Sequence, residues 1–159
     1  MIALIAQILR RLQITQIKER GEQVKVYSEN NYPKKEITEK IIKAAFAVHN
    51  KLGAGFVEKV YENALVKELS GTGLKVEQQK QLKVVYGGES VGDFFVDLLV
   101  DNSVIVELKA IQILEKSFED KLLHYLKVSN LPVGLLLNFG GSSVQIKRKV
   151  YSASYSKSE

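Results

Sequence analysis

Two short apolar runs, FFVDLLV at 94–100 and VIVELKA at 104–110, each carry a carboxylate at their centre, and only Asp101, Asn102 and Ser103 separate them. Apolar side chains at both phases of the alternation mark strands covered on both faces, which places this pair in the middle of a sheet. Asp97 and Glu107 are then out of place. Burying a charge without a partner costs several kcal/mol, so a cation must stand beside them.

The connecting residues set the register. With a three-residue loop, Val100 sits opposite Val104 and Asp97 opposite Glu107, and opposed residues of an antiparallel pair share one face. Lys109, two positions beyond Glu107, falls on that face too, while Val106 and Leu108 point the other way. A two-residue loop would slip the pairing by one and separate the acids. Asp-Asn is a weaker two-residue turn than Asn-Gly or Asp-Gly, which favours the longer loop. Lys109 then supplies one positive charge, and a hard divalent ion could supply the rest. Mg²⁺, or Mn²⁺ in its place, takes oxygen ligands and keeps several waters, so Asp97, Glu107 and the main-chain carbonyl of Leu108 suffice to hold it. The competing reading of the same spacing is an ion pair of Lys109 with Asp97 or Glu107 at a sheet edge.

The remaining pattern surrounds this hairpin with helices. Ile37, Ile41, Ala45, Val48 and Leu52 recur at helical spacing over 36–51, and Gly53 and Gly55 suit a cap and a tight turn. A second helix is expected at about 56–70 and a third at about 112–128. Period-two alternation marks strands at 74–79, 81–86 and 143–150, and 131–140 reads as another buried strand. The expected class is α/β (α+β), a mixed central sheet flanked by helices. At 159 residues the chain suits one domain. We assign it to 31–150, with residues 1–30 as an N-terminal extension (an amphipathic helix built on Ile2, Ile5, Leu9 and Leu12, then a linker) and 151–159 as a polar tail.

Bulk properties narrow the chemistry. The absence of cysteine excludes disulfides, thiolate metal sites and thiol nucleophiles, and fits a reducing cytoplasm. A net charge of +5 favours a polyanionic partner such as nucleic acid. The densest basic cluster, Lys147-Arg148-Lys149, reads as a solvated strand end. The N-terminal apolar run is too short to span a bilayer, and its charges follow rather than precede it, so no integral membrane segment or signal peptide is expected. No phosphate-binding glycine loop is present. Glu58 lies in the first turn of the second helix, where the helix dipole alone would favour an acid. His49, beside an apolar face, reads most simply as a satisfied core histidine.

The string Gly55-Phe56-Val57-Glu58-Lys59-Val60-Tyr61 resembles the signature of the GxxExxY family, a branch of the PD-(D/E)XK nuclease superfamily. AVHNKLGAG before it, and GDFFVDLLV, VIVELKA and VGLLLNFG after it, are similar to that family in the same order, over about Glu36 to Lys149. The resemblance implies a restriction-endonuclease-like core in the order α-β-β-β-α-β. It implies that Asp97 and Glu107 hold the metal, that Lys109 orients the attacking water or steadies phosphate charge, and that Glu58 is a helix-borne acid reaching the metal directly or through water. Tyr61 and His49 are expected to assist binding. Related nucleases often carry glutamine four residues before a tyrosine on the helix after the ExK strand. Here the pair is Lys121 and Tyr125, and the lysine could bind a phosphate or occupy the site and blunt activity. DNA is the expected partner ahead of RNA, with a homo-oligomer possible. A catalytically inactive nucleic-acid-binding or interaction module with the same fold is the alternative.

Overall fold

A computed structural model of the chain describes residues 33–152. The expected extension at 1–30 and nearly all of the polar tail lie outside them. Helix α1 spans Lys35–Leu52 and α2 spans Glu58–Ser70. Strands β1 (Val76–Tyr86), β2 (Glu89–Val100) and β3 (Val104–Lys109) follow, then α3 (Lys116–Ser129), β4 (Val133–Asn138) and β5 (Gln145–Val150). The five strands lie side by side in chain order. Only β3 and β4 run parallel, because α3 carries the chain back between them. The mixed sheet and its flanking helices are the architecture expected from the sequence.

The sheet has an apolar core on each face. Leu98, Val100, Val104, Val106, Leu108, Val133, Leu135 and Leu137 pack with Ile41, Ala45 and Val48 of α1 and Tyr61, Leu65 and Leu69 of α2. Leu99, Ile105 and Leu136 pack with Leu122 and Leu126 of α3 on the other side. This double covering explains the unbroken apolar runs of β3 and β4. Gly134 lets α3 settle closely, since a Cβ there would lie 2.6 Å from Leu122 Cδ1. Among the described residues, no helix is long and apolar enough to cross a membrane.

The β2–β3 connection is the three-residue loop. Val100 pairs with Val104, Leu99 with Ile105 and Leu98 with Val106. Asp101 and Asn102 take φ of 47° and 50°, a left-handed conformation that Asp and Asn tolerate better than most residues. Asp101 Oδ1 accepts from the Lys75 amide at 2.7 Å, and Ser103 N–H donates to the Val100 carbonyl at 3.0 Å.

Three expectations need correction. The segments 74–79 and 81–86 are one strand, β1. The strand reading FFVDLLV extends back to Glu89, forming with β1 a hairpin longer than expected. Helix α3 begins at Lys116 rather than near 112, because the Asn138 side chain holds both the N–H and the carbonyl of Ile111 (3.0 and 2.9 Å) and the approach to the helix is a loop.

Candidate metal centre

β2 leaves β3 at Asp97, and the site forms in the gap. The last β2–β3 pair is Leu98 with Val106. One step further, the Asp97 carboxylate itself takes up a β3 amide, with Oδ2 accepting from Leu108 N–H at 2.8 Å. The Asp97 amide points at Glu107 Oε1 at 3.4 Å. The pleat of β2 resets here. Leu98 packs on the α1–α2 side, whereas Val96 and Leu99 both pack on the α3 side.

Glu107 is 6% exposed. Burial pushes its carboxyl up to about 7, and the neighbouring Asp97 charge adds to the rise. Lys121, the Asp97 amide and Lys109 pull it back in part. Asp97 and Glu107 are therefore neighbours through the Asp97 amide and carboxylate rather than as an opposed pair of the ladder, which ends at Leu98 and Val106.

Lys109 does not pair with either acid. Its Nζ lies 3.3 Å and 3.5 Å from the two carboxylate oxygens of Glu58 and 5.2 Å from the centre of the Phe118 ring, a favourable site for an ammonium. The competing reading of an ion pair of Lys109 with Asp97 or Glu107 is thus replaced by one that ties β3 to the first residue of α2. Glu58 is the first residue of that helix, and no side chain caps the helix at Val57. Its carboxylate is well placed at the positive end of the helix dipole. Among the described residues, no three His, Cys, Asp or Glu side chains converge as a metal cluster. The acid pair is Asp97 and Glu107, and Glu58 stands apart from it, paired with Lys109.

Lys121 lies on α3, one turn beyond Phe118. Its Nζ lies 5.3 Å from the centre of the Tyr125 ring. The Tyr125 side chain first, then the charges of Glu107 and Asp97, hold its ammonium above the ordinary lysine range against the opposing effect of burial. Tyr125 stacks on Phe94 with ring centres 4.1 Å apart.

Tyr61 and His49 turn their polar atoms to the main chain. The Tyr61 hydroxyl donates to the Gly53 carbonyl at 2.6 Å and accepts from Phe56 N–H at 3.3 Å, and its ring stacks on Phe139 at 4.6 Å. It braces the turn that delivers Glu58, a turn in which Gly55 has φ of +106°, open to glycine and few other residues. His49 Nε2 lies 2.9 Å from the Gly141 carbonyl, within donating distance. Tyr61→Phe is expected to lower stability by about 1–3 kcal/mol, the cost of leaving buried partners unmet, which urea denaturation would read. An unchanged midpoint would remove the bracing role.

Sequence reasoning missed three polar residues. Gln79 holds Asp97 and is itself held by Glu62, its Nε2 lying 3.3 Å from Asp97 Oδ1 and 2.9 Å from Glu62 Oε2. Asn138 is 2% exposed at the end of an otherwise apolar strand. A buried asparagine closing VGLLLN was a readable signal. Nothing in a pair of strand glutamines marks one of them as special.

The donor set suits a hard divalent cation. It is all oxygen, with two carboxylates side by side and one of them buried. The nearby ammonium groups are engaged elsewhere, Lys109 by Glu58 and Phe118, and Lys121 by Tyr125.

The family model of the PD-(D/E)XK nuclease superfamily matches residues 35–149. No curated protein matches the chain. Among solved structures, SSO0001 is similar over 75% of this chain, at 16% identity and a TM-score of 0.46, and the chain spans 60% of the length of that protein.

Proposed function

The chain belongs to the PD-(D/E)XK nuclease superfamily, and from that premise we propose that it is a divalent-metal-dependent nuclease of the GxxExxY branch, hydrolysing phosphodiester bonds in DNA or, less favourably, RNA. The observation that carries this reading is the buried carboxylate of Glu107 set against Asp97, a repulsive arrangement that a divalent cation would turn into an attractive one.

Asp97, Glu107 and the Leu108 carbonyl would hold Mg²⁺ or Mn²⁺. Such an ion lowers the pKa of a coordinated water and offsets charge developing on the phosphoryl oxygens. The protein supplies the rest. Lys109, held by Glu58, presents N–H donors that orient the attacking water or a phosphate oxygen. Glu58 acts here by fixing that ammonium. Lys121 offers a second cation to the phosphate. Phe94 and Tyr125 present apolar rings beside it.

One feature favours the inactive module. Lys121 stands where its charge already acts on Glu107 and Asp97, so it can neutralise the pair in place of a metal. Titration calorimetry with Mn²⁺ separates the two readings. Saturable binding that disappears in Asp97→Ala is expected, and binding that persists in that variant would sink the metal assignment. Incubation with single- and double-stranded DNA and RNA then tests hydrolysis. Metal-dependent cleavage that Glu107→Ala abolishes is expected. Binding of metal and nucleic acid without cleavage would select the module instead, and cleavage surviving Glu107→Ala would put the chemistry elsewhere.

A further inference from the structure

Gln79 has φ of +47° in the middle of a strand. The β1–β2 ladder pairs Gln78 with Leu98 and Lys80 with Val96, and breaks between them, where Gln79 faces Asp97. A residue with a side chain occupies left-handed backbone only where surrounding contacts hold it there, and such positions gather at functional sites. The contacts are visible. One amide group, Nε2, reaches both Asp97 Oδ1 at 3.3 Å and Glu62 Oε2 at 2.9 Å. Glu62 is 4% exposed and is fixed at its other oxygen by Lys59 Nζ at 2.7 Å and Gln78 Nε2 at 2.9 Å.

We propose that Gln79 is a positioning residue, a neutral bridge anchored on buried Glu62 that aims the Asp97 carboxylate for binding a divalent cation. The inference rests on Asp97 being a metal ligand. Leu108 N–H holds one Asp97 oxygen and Gln79 the other, so the carboxylate plane is fixed at both ends. Each carboxylate oxygen accepts about two hydrogen bonds, and each keeps a lone pair for a cation. An ammonium in place of the amide would also hold Asp97, but its charge would repel the incoming ion. The amide NH₂ places its two hydrogens between two carboxylates, which fixes their separation without adding charge.

Two substitutions test this on the full chain, with Mn²⁺ affinity read by calorimetry and metal-free stability read by thermal denaturation. Gln79→Gly removes the amide and suits the backbone. Its stability should stay near wild type, relief of the left-handed backbone offsetting the lost hydrogen bond to Glu62, while the Mn²⁺ dissociation constant rises about 10- to 100-fold, the usual effect of losing a group that orients a ligand. Gln79→Asn tolerates the same φ but is one methylene too short to bridge, and should weaken Mn²⁺ binding similarly. Wild-type Mn²⁺ affinity in both variants would overturn the role of Gln79 and leave the metal site standing. A parallel loss of stability and affinity in both would make Gln79 merely structural and also overturn it. Failure of the wild-type chain to bind Mn²⁺ would overturn this role together with the metal assignment.

Discussion

Free of metal, the protein is expected to lose about 3 kcal/mol of folding stability as pH rises from 4.5 to 7. The Glu107 carboxyl moves from 4.5 to about 7 on folding, and a rise of that size corresponds to about 3 kcal/mol. Within this window the folded chain still holds a proton that the unfolded chain has released. Folding therefore takes up a proton, and raising the pH opposes it. The contribution is complete below 4.5 and gone above about 7. Glu77 and Glu119 act in the opposite sense, since hydrogen bonds from Lys80 and Lys149 hold them below the usual carboxylate range, and they add stability as they ionise. The clean measurement is the difference between wild type and Glu107→Gln in urea denaturation at pH 5 and pH 8, with chelator present. Glu107→Gln should be the more stable of the two at pH 8, with the gap closing at pH 5. Mn²⁺ should raise wild-type stability at pH 8 and leave the variant nearly unchanged. Equal stability of the two proteins at both pH values would show that Glu107 is not held in a site hostile to its charge.

The hairpin was legible because two local facts agreed. Apolar runs on both sides of the pleat demanded a central position, and Asp101-Asn102 is a weak two-residue turn, which favoured the three-residue loop. Periodicity also located α1 and α2, since Ile41, Ala45 and Val48 and then Tyr61, Leu65 and Leu69 each fall on one buried stripe. What stayed hidden depended on partners distant in sequence. Spacing put Lys109 on the face of the acids, but its partner is Glu58, 51 residues earlier. The Lys147-Arg148-Lys149 cluster read as a solvated strand end, yet Lys149 Nζ lies 2.5 Å from Glu119 on α3, and Lys147 reaches the same carboxylate at 3.9 Å. Part of the basic excess is therefore spent inside the domain. The kink at Gln79 had no sequence signal, because glutamine has no special liking for left-handed backbone.

Replacing Gly140 with alanine is expected to cost about 3 kcal/mol or more, and replacing its neighbour Gly141 almost nothing. A Cβ on Gly140 would lie closer than 3.0 Å to the main-chain N, C and O of Ile111. No side chain can rotate away from that clash, so the main chain must move. Ile111 is not free to move, because Asn138 holds its N–H and carbonyl together and also accepts from Gly140 N–H at 3.2 Å. Relieving the overlap breaks this clasp, so the cost of overpacking, about 1–3 kcal/mol, is joined by that of buried hydrogen bonds at about 1 kcal/mol each. At Gly141 the nearest atom to a new Cβ is Ser143 O at 3.4 Å, close to ordinary contact, and a change that meets no clash stays within about 0.5 kcal/mol. Urea midpoints of the two variants decide the matter, and equal midpoints would mean that Ile111 is not fixed. The clasp also reaches the site. Lys109 lies two residues before Ile111, and its carbonyl accepts from Phe139 N–H at 2.7 Å, so the same main-chain shift should disturb the Lys109–Glu58 pair. Asp97 and the Leu108 amide lie upstream on β2 and β3, where the ladder does not depend on Gly140. Folded Gly140→Ala protein should therefore lose any cleavage more than Mn²⁺ affinity, since the Asp97 and Glu107 carboxylates lie upstream and only the Leu108 carbonyl borders the displaced residue, a split that loss of the whole fold could not produce.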